Sequence, residues 1–279
     1  MFTVLPHFGS TLCIKEEGMI TSTANARIKQ LALWNQKAKA RREDGVFLAE
    51  GVKMFEEAPV EWLREVYLAE SFSKKIPETL RAKLLHCSYE IVDDSVFAKA
   101  SDTRTPQGIL SVLTRPRYTL QDVCAAGQKQ PLIMVLENLQ DPGNLGTILR
   151  TGEGAGITGV ILTKETVDIF NPKTIRATMG SIYRVPFVLV DSITEAVTFL
   201  KQNGLQVYAA HLKGTCNYHE PDYTMGSAFL IGNEGNGLKE ETAALADTYI
   251  RIPMEGNVES LNAAIASAIL MYEAHRQRR

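Results

Sequence analysis

The sequence predicts an α/β protein with two domains, the second built on a mostly parallel sheet. Short apolar segments recur along the chain, and segments with apolar residues at helical spacing separate them. The length of 279 residues exceeds that of one typical domain. Residues 115–130 have no strong periodicity. Pro116 lies near the start of this segment and Pro131 directly follows it, which indicates a linker that contains at most a short helix.

The composition is that of an ordinary soluble protein. Hydrophobic residues make up 45% of the chain, charged residues 22%, and the net charge is −2. No apolar run approaches the roughly 20 residues of a membrane span, and residues 1–18 lack the features of a signal peptide. The cysteines are scattered, with no CxxC pair and no histidine at zinc-ligand spacing: Cys13, Cys87, Cys124 and Cys216. We therefore expect a cytoplasmic protein without a metal site.

The alternation of elements defines the domains. Residues 1–18 have no usable pattern and are expected to be a disordered extension. Residues 19–114 form a small α/β domain, with strands predicted at 45–49, 63–69, 88–92 and 108–113 and helices at 51–58 and 73–84. Residues 131–279 form the larger domain, with strands predicted at 132–136, 159–163, 185–190, 205–210, 228–231 and 249–252 and helices between them.

A basic run lies at residues 27–42, where Leu31, Trp34 and Ala38 recur at helical spacing. The run contains no acid, although the rest of the chain is acidic. A helix with an ordinary solvated face would explain these charges, but the lack of acids favours contact with phosphate groups. The basic residues are Arg27, Lys29, Lys37, Lys39, Arg41 and Arg42, and all but Lys29 are predicted phosphate contacts.

The first candidate site segment is residues 135–156, VLENLQDPGNLGTILRTGEGAG. A buried strand leads into a turn and then into a helix that begins near Asn144. Asn144 in the turn and Arg150, off the apolar face of the helix, would lie at the carboxyl end of a strand, where open α/β sheets bind ligands. A capping Asn and a solvated Arg remain the alternative. The glycines of residues 152–156 close a helix instead of opening one, so they do not predict a dinucleotide site.

Two further segments repeat the order of strand, turn and helix. In FLIGNEGNGL, residues 229–238, the glycines permit close backbone approach to a ligand, and Glu234 argues against a polyphosphate. In IPMEGNVESLNAAIA, residues 252–266, Ser260 and Asn262 stand at the start of a helix that alanines keep thin. A helix cap is the alternative there.

Together, NLQDPGNLGTILRTGEGAG, FLIGNEGNGL and IPMEGNVESLNAAIASAI resemble the three motifs of the SpoU/TrmH family of RNA 2′-O-ribose methyltransferases, in the SPOUT superfamily. The resemblance covers residues 131–279 and implies a SPOUT α/β domain with a deep trefoil knot that binds S-adenosylmethionine. Residues 19–114 are similar, more loosely, to L30e-type RNA-binding modules. The family resemblance also implies an RNA substrate and a homodimer.

Motif positions imply the site residues. Catalytic roles fall on Asn144, Arg150, Glu234, Ser260 and Asn262. Cofactor contacts fall on Gly232, Asn233, Ile252, Met254 and Leu261.

The resemblance implies attack of a ribose 2′-OH on the sulfonium methyl group. A guanidinium is effectively always protonated, so we expect Arg150 to hold phosphate and stabilise alkoxide charge, oriented with the hydroxyl by Asn144, Ser260 and Asn262. In this family one subunit's Arg faces the other subunit's cofactor. The L30e-like module favours large-subunit ribosomal RNA as the substrate. Transfer RNA and a non-catalytic RNA-binding role stay open, and a nicotinamide-dependent oxidoreductase is the least favoured class.

Overall fold

The computed structural model describes residues 18–125, 130–258 and 260–279. Apart from Gly18, the expected disordered extension lies outside the described residues. No described helix has the length and apolar character that a membrane crossing requires. Within the same residues, no group of His, Cys, Asp and Glu side chains could hold a metal ion.

The N-terminal part contains a four-stranded sheet in the order β1-β4-β2-β3. Strand β4 pairs antiparallel with β1 and β2, whereas β2 and β3 are parallel. The strands are β1 (Val46–Glu50), β2 (Leu63–Ala69), β3 (Tyr89–Val92) and β4 (Ile109–Thr114). The helices are α1 (Ala26–Gln36), α2 (Ala38–Glu43), α3 (Val52–Glu57), α4 (Glu70–Ser73), α5 (Glu78–Leu84) and α6 (Asp94–Ala100), with a 3₁₀ turn at Val60–Trp62.

Two helix predictions in this part are wrong in detail. The basic run is not one helix, because Lys37 is extended at φ −117° and separates α1 from α2. The helix predicted at 73–84 is also divided, because Pro77 is extended, at φ −57° and ψ 142°, and serves as the N-cap of α5. Helix α6 was not predicted; Asp93 caps it by accepting from the backbone of Ser95 and Val96.

The C-terminal part contains a seven-stranded sheet in the order β7-β6-β5-β10-β8-β11-β9, and all its pairs are parallel. Its strands are β5 (Leu132–Leu136), β6 (Gly159–Thr163), β7 (Phe187–Val190), β8 (Gln206–Ala210), β9 (Cys216–Asn217), β10 (Ser227–Ile231) and β11 (Thr248–Arg251). The helices are α7 (Leu120–Cys124), α8 (Pro142–Ala155), α9 (Pro172–Thr178), α10 (Ile193–Gln202), α11 (Glu240–Ala243) and α12 (Ala263–Gln277), with a 3₁₀ turn at Ser181–Tyr183.

This strand order positions the site. Strand β10 lies between β5 and β8, so the turn after β5 and the loop after β10 leave the sheet side by side. The ends of β5 and β10 are also joined directly, because the backbone N–H of Glu137 donates to the carbonyl of Ile231 at 2.8 Å. The predicted glycine turn is confirmed, since Gly156 ends α8 in the left-handed conformation at φ 81°.

The two sheets share one apolar cluster. Phe47 of β1 packs on Phe170 at 4.9 Å between ring centroids, and both are buried. An ion pair of 2.8 Å between Glu57 and Arg184 spans the same boundary. The N-terminal sheet is therefore held against the C-terminal one by both apolar and charged contacts.

Candidate active site

The turn after β5 is stabilised by residues of the turn itself. Asp141 caps α8, because its Oδ1 accepts from the backbone N–H of Asn144 at 2.8 Å, and Pro142 occupies the first turn, where it costs no hydrogen bond. Asn138 has a φ of 55°, a left-handed conformation that Asn tolerates better than most residues. The turn thus projects the Asn144 side chain towards the loops after β10 and β11.

Asn144 joins all three sequence motifs. Its Nδ2 donates to Glu234 Oε1 at 3.0 Å, and its Oδ1 accepts from Asn262 Nδ2 at 3.0 Å. Asn262 in turn caps α12, because its Oδ1 accepts from the backbone of Ala264 at 2.9 Å. Asn262 can cap α12 and bind Asn144 at the same time, since its Oδ1 accepts from the helix backbone and its Nδ2 donates to Asn144.

Glu234 is a carboxylate fixed by several donors. The backbone N–H groups of Gln140 and Asp141 donate to its two oxygens at 2.9 Å each, in addition to the bond from Asn144. Partial burial raises the pKa of the Glu234 carboxyl, but the hydrogen bonds from Asn144, Gln140 and Asp141 outweigh it and leave the pKa below its ordinary value. Glu234 is therefore charged at neutral pH, with its oxygens occupied.

The loop after β10 is folded tightly on itself. A Cβ on Gly232 would lie 2.0 Å from the backbone carbon of Gly237, so only glycine fits there. Asn233 and Gly237 exchange two backbone hydrogen bonds, at 3.0 and 2.9 Å. The Asn233 side chain accepts from Gly235 and Asn236 and donates to Asn138, so it shapes this loop, and its backbone is what remains for a cofactor.

Glu137 is a site residue that the sequence analysis missed. It is buried, and its Oε2 accepts from the backbone N–H of Lys239 at 2.9 Å, while its Oε1 accepts from Thr242 Oγ1 at 2.5 Å. Glu137 thereby ties the end of β5 to the start of α11 and closes the far side of the β10 loop. The available signal was an acid placed directly after a fully apolar strand.

A cleft of about 660 Å³ opens between the loops after β8, β10 and β11 and the start of α12. Every predicted cofactor residue lines it: Gly232, Asn233, Ile252, Met254 and Leu261. Glu234 and Ser260 line it as well. The loop after β8, with His211 and Lys213, also forms a wall and was not predicted.

The cleft fits a molecule with both apolar and hydrogen-bonding parts. Buried Ile231 and Leu238 and half-buried Leu261 supply apolar surface, and the strand ends supply backbone N–H and C=O groups. Gly232 and Gly237, whose backbones pack too closely for a side chain on Gly232, both line the cleft and present backbone to it. These features suit the adenosine and amino-acid portions of S-adenosylmethionine.

The structure does not bring Arg150 to the other predicted catalytic residues. Arg150 is exposed and does not line the cleft, and no carboxylate among the described residues pairs with it. It lies six residues beyond Asn144 on α8, which places it about 9 Å along the helix and about 120° around it. Ser260 is exposed at the cleft, without a hydrogen bond that ties it to the Asn144 chain.

One predicted RNA contact is wrong. Arg41 is only 2% exposed, because it pairs with Asp168 at 2.6 Å and donates to the carbonyls of Trp34 and Asn35. This arginine joins α2 of the N-terminal part to Asp168 of the C-terminal part and cannot face a phosphate. The other predicted contacts are exposed: Arg27, Lys37, Lys39 and Arg42.

Solved structures with the same architecture bind S-adenosylmethionine. An AdoMet-bound rRNA methyltransferase from Sinorhizobium meliloti is 32% identical, with a TM-score of 0.82, over 93% of this chain and 97% of that one. The SpoU methyltransferase AviRb from Streptomyces viridochromogenes, in complex with AdoMet, is 27% identical with a TM-score of 0.82, over 91% and 98% of the two chains. The predicted α/β fold of the SPOUT type, with its parallel sheet, is thereby confirmed.

Sequence relatives match most of the length of this chain. The 23S rRNA (guanosine(2553)-2′-O)-methyltransferase RlmP of Bacillus subtilis is 33% identical over 255 residues, 91% of this chain and 97% of that protein. A Synechocystis protein named as an uncharacterized tRNA/rRNA methyltransferase is 35% identical over 263 residues, 92% and 93% of the two chains.

The fold, the cleft and these neighbours define an RNA 2′-O-methyltransferase that uses S-adenosylmethionine. Residues 131–272 match the SpoU rRNA Methylase family, and residues 25–111 match the MRM3-like substrate binding domain. The chain belongs to the SpoU rRNA methylase family.

Proposed function

We propose that this enzyme methylates the ribose 2′-oxygen of one nucleotide in 23S ribosomal RNA. RlmP of Bacillus subtilis, whose name states that activity, supports the choice of RNA, as does the rRNA methyltransferase of Sinorhizobium meliloti. The match of residues 25–111 to a substrate binding domain supports a role for that part in holding RNA. Its likeness to L30e-type modules remains a prediction.

The observation that carries the proposal is the hydrogen-bonded chain Glu234–Asn144–Asn262 at the edge of the cleft. When bound, S-adenosylmethionine supplies an electrophilic methyl group. The hydrogen bonds from Asn144 to Glu234 and Asn262 fix which face of the Asn144 amide points outwards. Ser260 adds an exposed hydroxyl at the cleft. These groups orient the incoming ribose, and alignment of reactants can supply roughly 7–11 kcal/mol of barrier reduction. Glu234, with its oxygens occupied, acts here as a positioning residue.

Gly232, Ile252 and Leu261 hold the cofactor, mainly through the backbone and apolar contact. Asn233 shapes the loop, and Met254 covers the mouth of the cleft, where it is 36% exposed. The buried side chains of Ile231 and Leu238, which also line the cleft, exclude water from the cofactor.

Arg150 acts at the cleft of a partner subunit in this proposal. Its exposure, its distance from Asn144 and its lack of a carboxylate partner among the described residues leave its charge available to a phosphate and to a developing alkoxide. The active unit is then a homodimer, in which each site combines one subunit's cleft with the other subunit's Arg150.

An exposed apolar face supports the dimer. Ile265 and Tyr272 of α12 are 52% and 48% exposed, and their spacing of seven residues puts them on one helix face. The Tyr272 hydroxyl lies 3.2 Å from the position of a Cβ on Gly154, so this face adjoins the α8 helix that carries Arg150. Apolar side chains at this exposure favour burial against a second copy.

The trefoil knot belongs to the same proposal. It is supported by the path of the chain, which passes beside the folded loop after β10 and then packs α12 against α8.

A cytoplasmic location is supported by the three cysteines in the described part of the chain, Cys87, Cys124 and Cys216, all of which are unpaired.

The test is a comparison of ribosomal RNA from cells with and without the gene. A 2′-O-methyl group stalls reverse transcription at low nucleotide concentration, so loss of the enzyme should abolish one stall in 23S ribosomal RNA. The expected nucleotide lies in a loop, because unstacked RNA is the usual target of sequence-specific recognition. A lost mark in transfer RNA, with 23S ribosomal RNA unchanged, would overturn the proposed substrate.

A further inference from the structure

A group of arginines lies where the N-terminal sheet ends and the following segment begins. Arg115 directly follows β4, and its backbone N–H donates to the carbonyl of Gly45, which precedes β1, at 3.0 Å. Arg42 lies on α2, close to the same end of β1, and Arg117 is two residues beyond Arg115. We call Arg42, Arg115 and Arg117 the junction arginines.

The central member is held in a fixed orientation between the two parts of the chain. The Arg115 guanidinium carbon lies 4.3 Å from the centroid of the Phe170 ring, which belongs to the C-terminal part. Stacking on an aromatic ring restrains the plane of a guanidinium and leaves its N–H edge free to donate. Arg115 is half-buried, whereas Arg42 and Arg117 are exposed.

The positive charge here is not balanced by carboxylates. Asp168 is close by, but Arg41 already occupies it at 2.6 Å. Among the residues that the structure describes, no carboxylate forms an ion pair with any of the three junction arginines. The pKa of Arg115 is lowered by burial first, and the charges of Arg42, Arg41 and Arg117 lower it further, against the opposing effect of Asp168.

We propose that the junction arginines bind the phosphate backbone of the substrate RNA and so fix it across both parts of the protein. This inference rests on the proposed RNA substrate. Guanidinium groups match phosphate oxygens with paired N–H donors, and a restrained plane lowers the entropy cost of that contact. The position explains how an RNA held on the N-terminal part keeps a fixed orientation to the cleft, since Arg115 contacts Gly45 of the N-terminal part and Phe170 of the C-terminal part.

The proposal differs from a general basic surface in where the charge lies. The original basic run is divided at Lys37, and Arg41 is withdrawn into the protein. Of the two members of that run whose charges reach Arg115, Arg41 and Arg42, only Arg42 is exposed, so the contact surface continues from Arg42 into the segment after β4. The sequence analysis missed this surface because Arg42 and Arg115 are far apart in the chain and come together only when β1 pairs with β4.

The test uses the full chain with Arg42→Gln and Arg117→Gln together. Both side chains are exposed, so the fold should be unaffected. The matched control is Lys75→Gln with Lys99→Gln, which removes two exposed charges that also lack carboxylate partners among the described residues. Lys75 follows α4, at the opposite end of the sheet from Arg115.

Binding is measured against salt with two probes, an in vitro transcript of 23S ribosomal RNA and bulk transfer RNA. The slope of log affinity against log salt should fall by about one per junction arginine, hence by about two in the double variant, and stay unchanged in the control. Arg115→Lys should weaken binding while it keeps the slope, because the charge remains and the planar fork is lost.

The outcomes separate this inference from the proposed function. If the double variant keeps the wild-type slope, the junction arginines do not contact RNA, and an acidic protein surface becomes their candidate partner. If the slope falls but wild-type enzyme methylates no 23S ribosomal RNA, the contact stands and the proposed substrate fails. Calorimetric affinity for S-adenosylmethionine should be the same in every variant, and a loss would show that the substitutions disturbed the cleft instead.

Discussion

The side chains of Asn144 and Glu234, 90 residues apart in the chain, are joined by a hydrogen bond of 3.0 Å. Glu234 also accepts from the backbone of Gln140 and Asp141. The second motif therefore holds the first in shape, and the site depends on a contact between the turns after β5 and β10. That dependence makes the network testable by both stability and activity.

Glu234→Gln should destabilise the protein by about 1–3 kcal/mol at neutral pH, because an amide cannot accept all three hydrogen bonds. The pKa of Glu234 lies below its ordinary value, so its contribution is fully present above that ordinary value and is lost as pH falls through the lowered one. The difference from wild type in urea unfolding should thus shrink in acid. Glu56→Gln, at an exposed carboxyl, is the control, and a pH-independent difference would contradict the role of Glu234.

Arg150→Ala should reduce methyl transfer by about 10²–10³-fold, the usual loss for a group that stabilises developing negative charge. Affinity for S-adenosylmethionine should be retained, because Arg150 does not line the cleft. Single-turnover transfer and calorimetry measure the two effects. Full activity in the variant would remove Arg150 from the site.

The position of Arg150 in a partner's site is tested by mixing inactive subunits. Arg150→Ala and Gly232→Val are each expected to be inactive, but their heterodimer contains one complete site if Arg150 acts across the interface. Random exchange should then restore up to about a quarter of wild-type activity. Absence of any recovery, with exchange shown by tagged subunits, would place Arg150 at its own cleft.

Gly232→Ala should weaken S-adenosylmethionine binding by disrupting the loop after β10, because the added Cβ meets backbone at 2.0 Å. Gly235→Ala is a control within the same loop, where the nearest atom to an added Cβ is Asn233 Oδ1 at 3.5 Å. Calorimetry should separate the two variants. Equal affinities would show that the loop does not shape the cofactor site.

Arg41→Ala should cost about 3–5 kcal/mol of stability, the usual effect of breaking a buried ion pair. Arg42→Ala, at the neighbouring exposed position, should cost almost nothing in stability. Urea unfolding of the two variants compares them directly. A similar small effect for both would contradict the structural role of Arg41.

Periodicity located most elements of the fold, because apolar runs such as residues 132–136 and 159–163 are short and fully buried. The motif resemblance then located the cleft, since Gly232, Ile252 and Leu261 do line it. That Arg41 is buried while Arg42 is exposed could not be predicted from the sequence, because the burial of Arg41 depends on its contact with Asp168, 127 residues away. Glu137 was missed for the same reason: its partners Lys239 and Thr242 become neighbours only when β10 is inserted beside β5.

The central claim is that the methyl group goes to a ribose oxygen of RNA. The direct measurement incubates the purified enzyme with isotopically labelled S-adenosylmethionine and an unmodified 23S ribosomal RNA transcript, followed by digestion to nucleosides and mass spectrometry. The account predicts label on the ribose of a single nucleotide, and no transfer to a transcript that carries a 2′-deoxy sugar at that position. Label on a base, or transfer that survives the 2′-deoxy substitution, would contradict it.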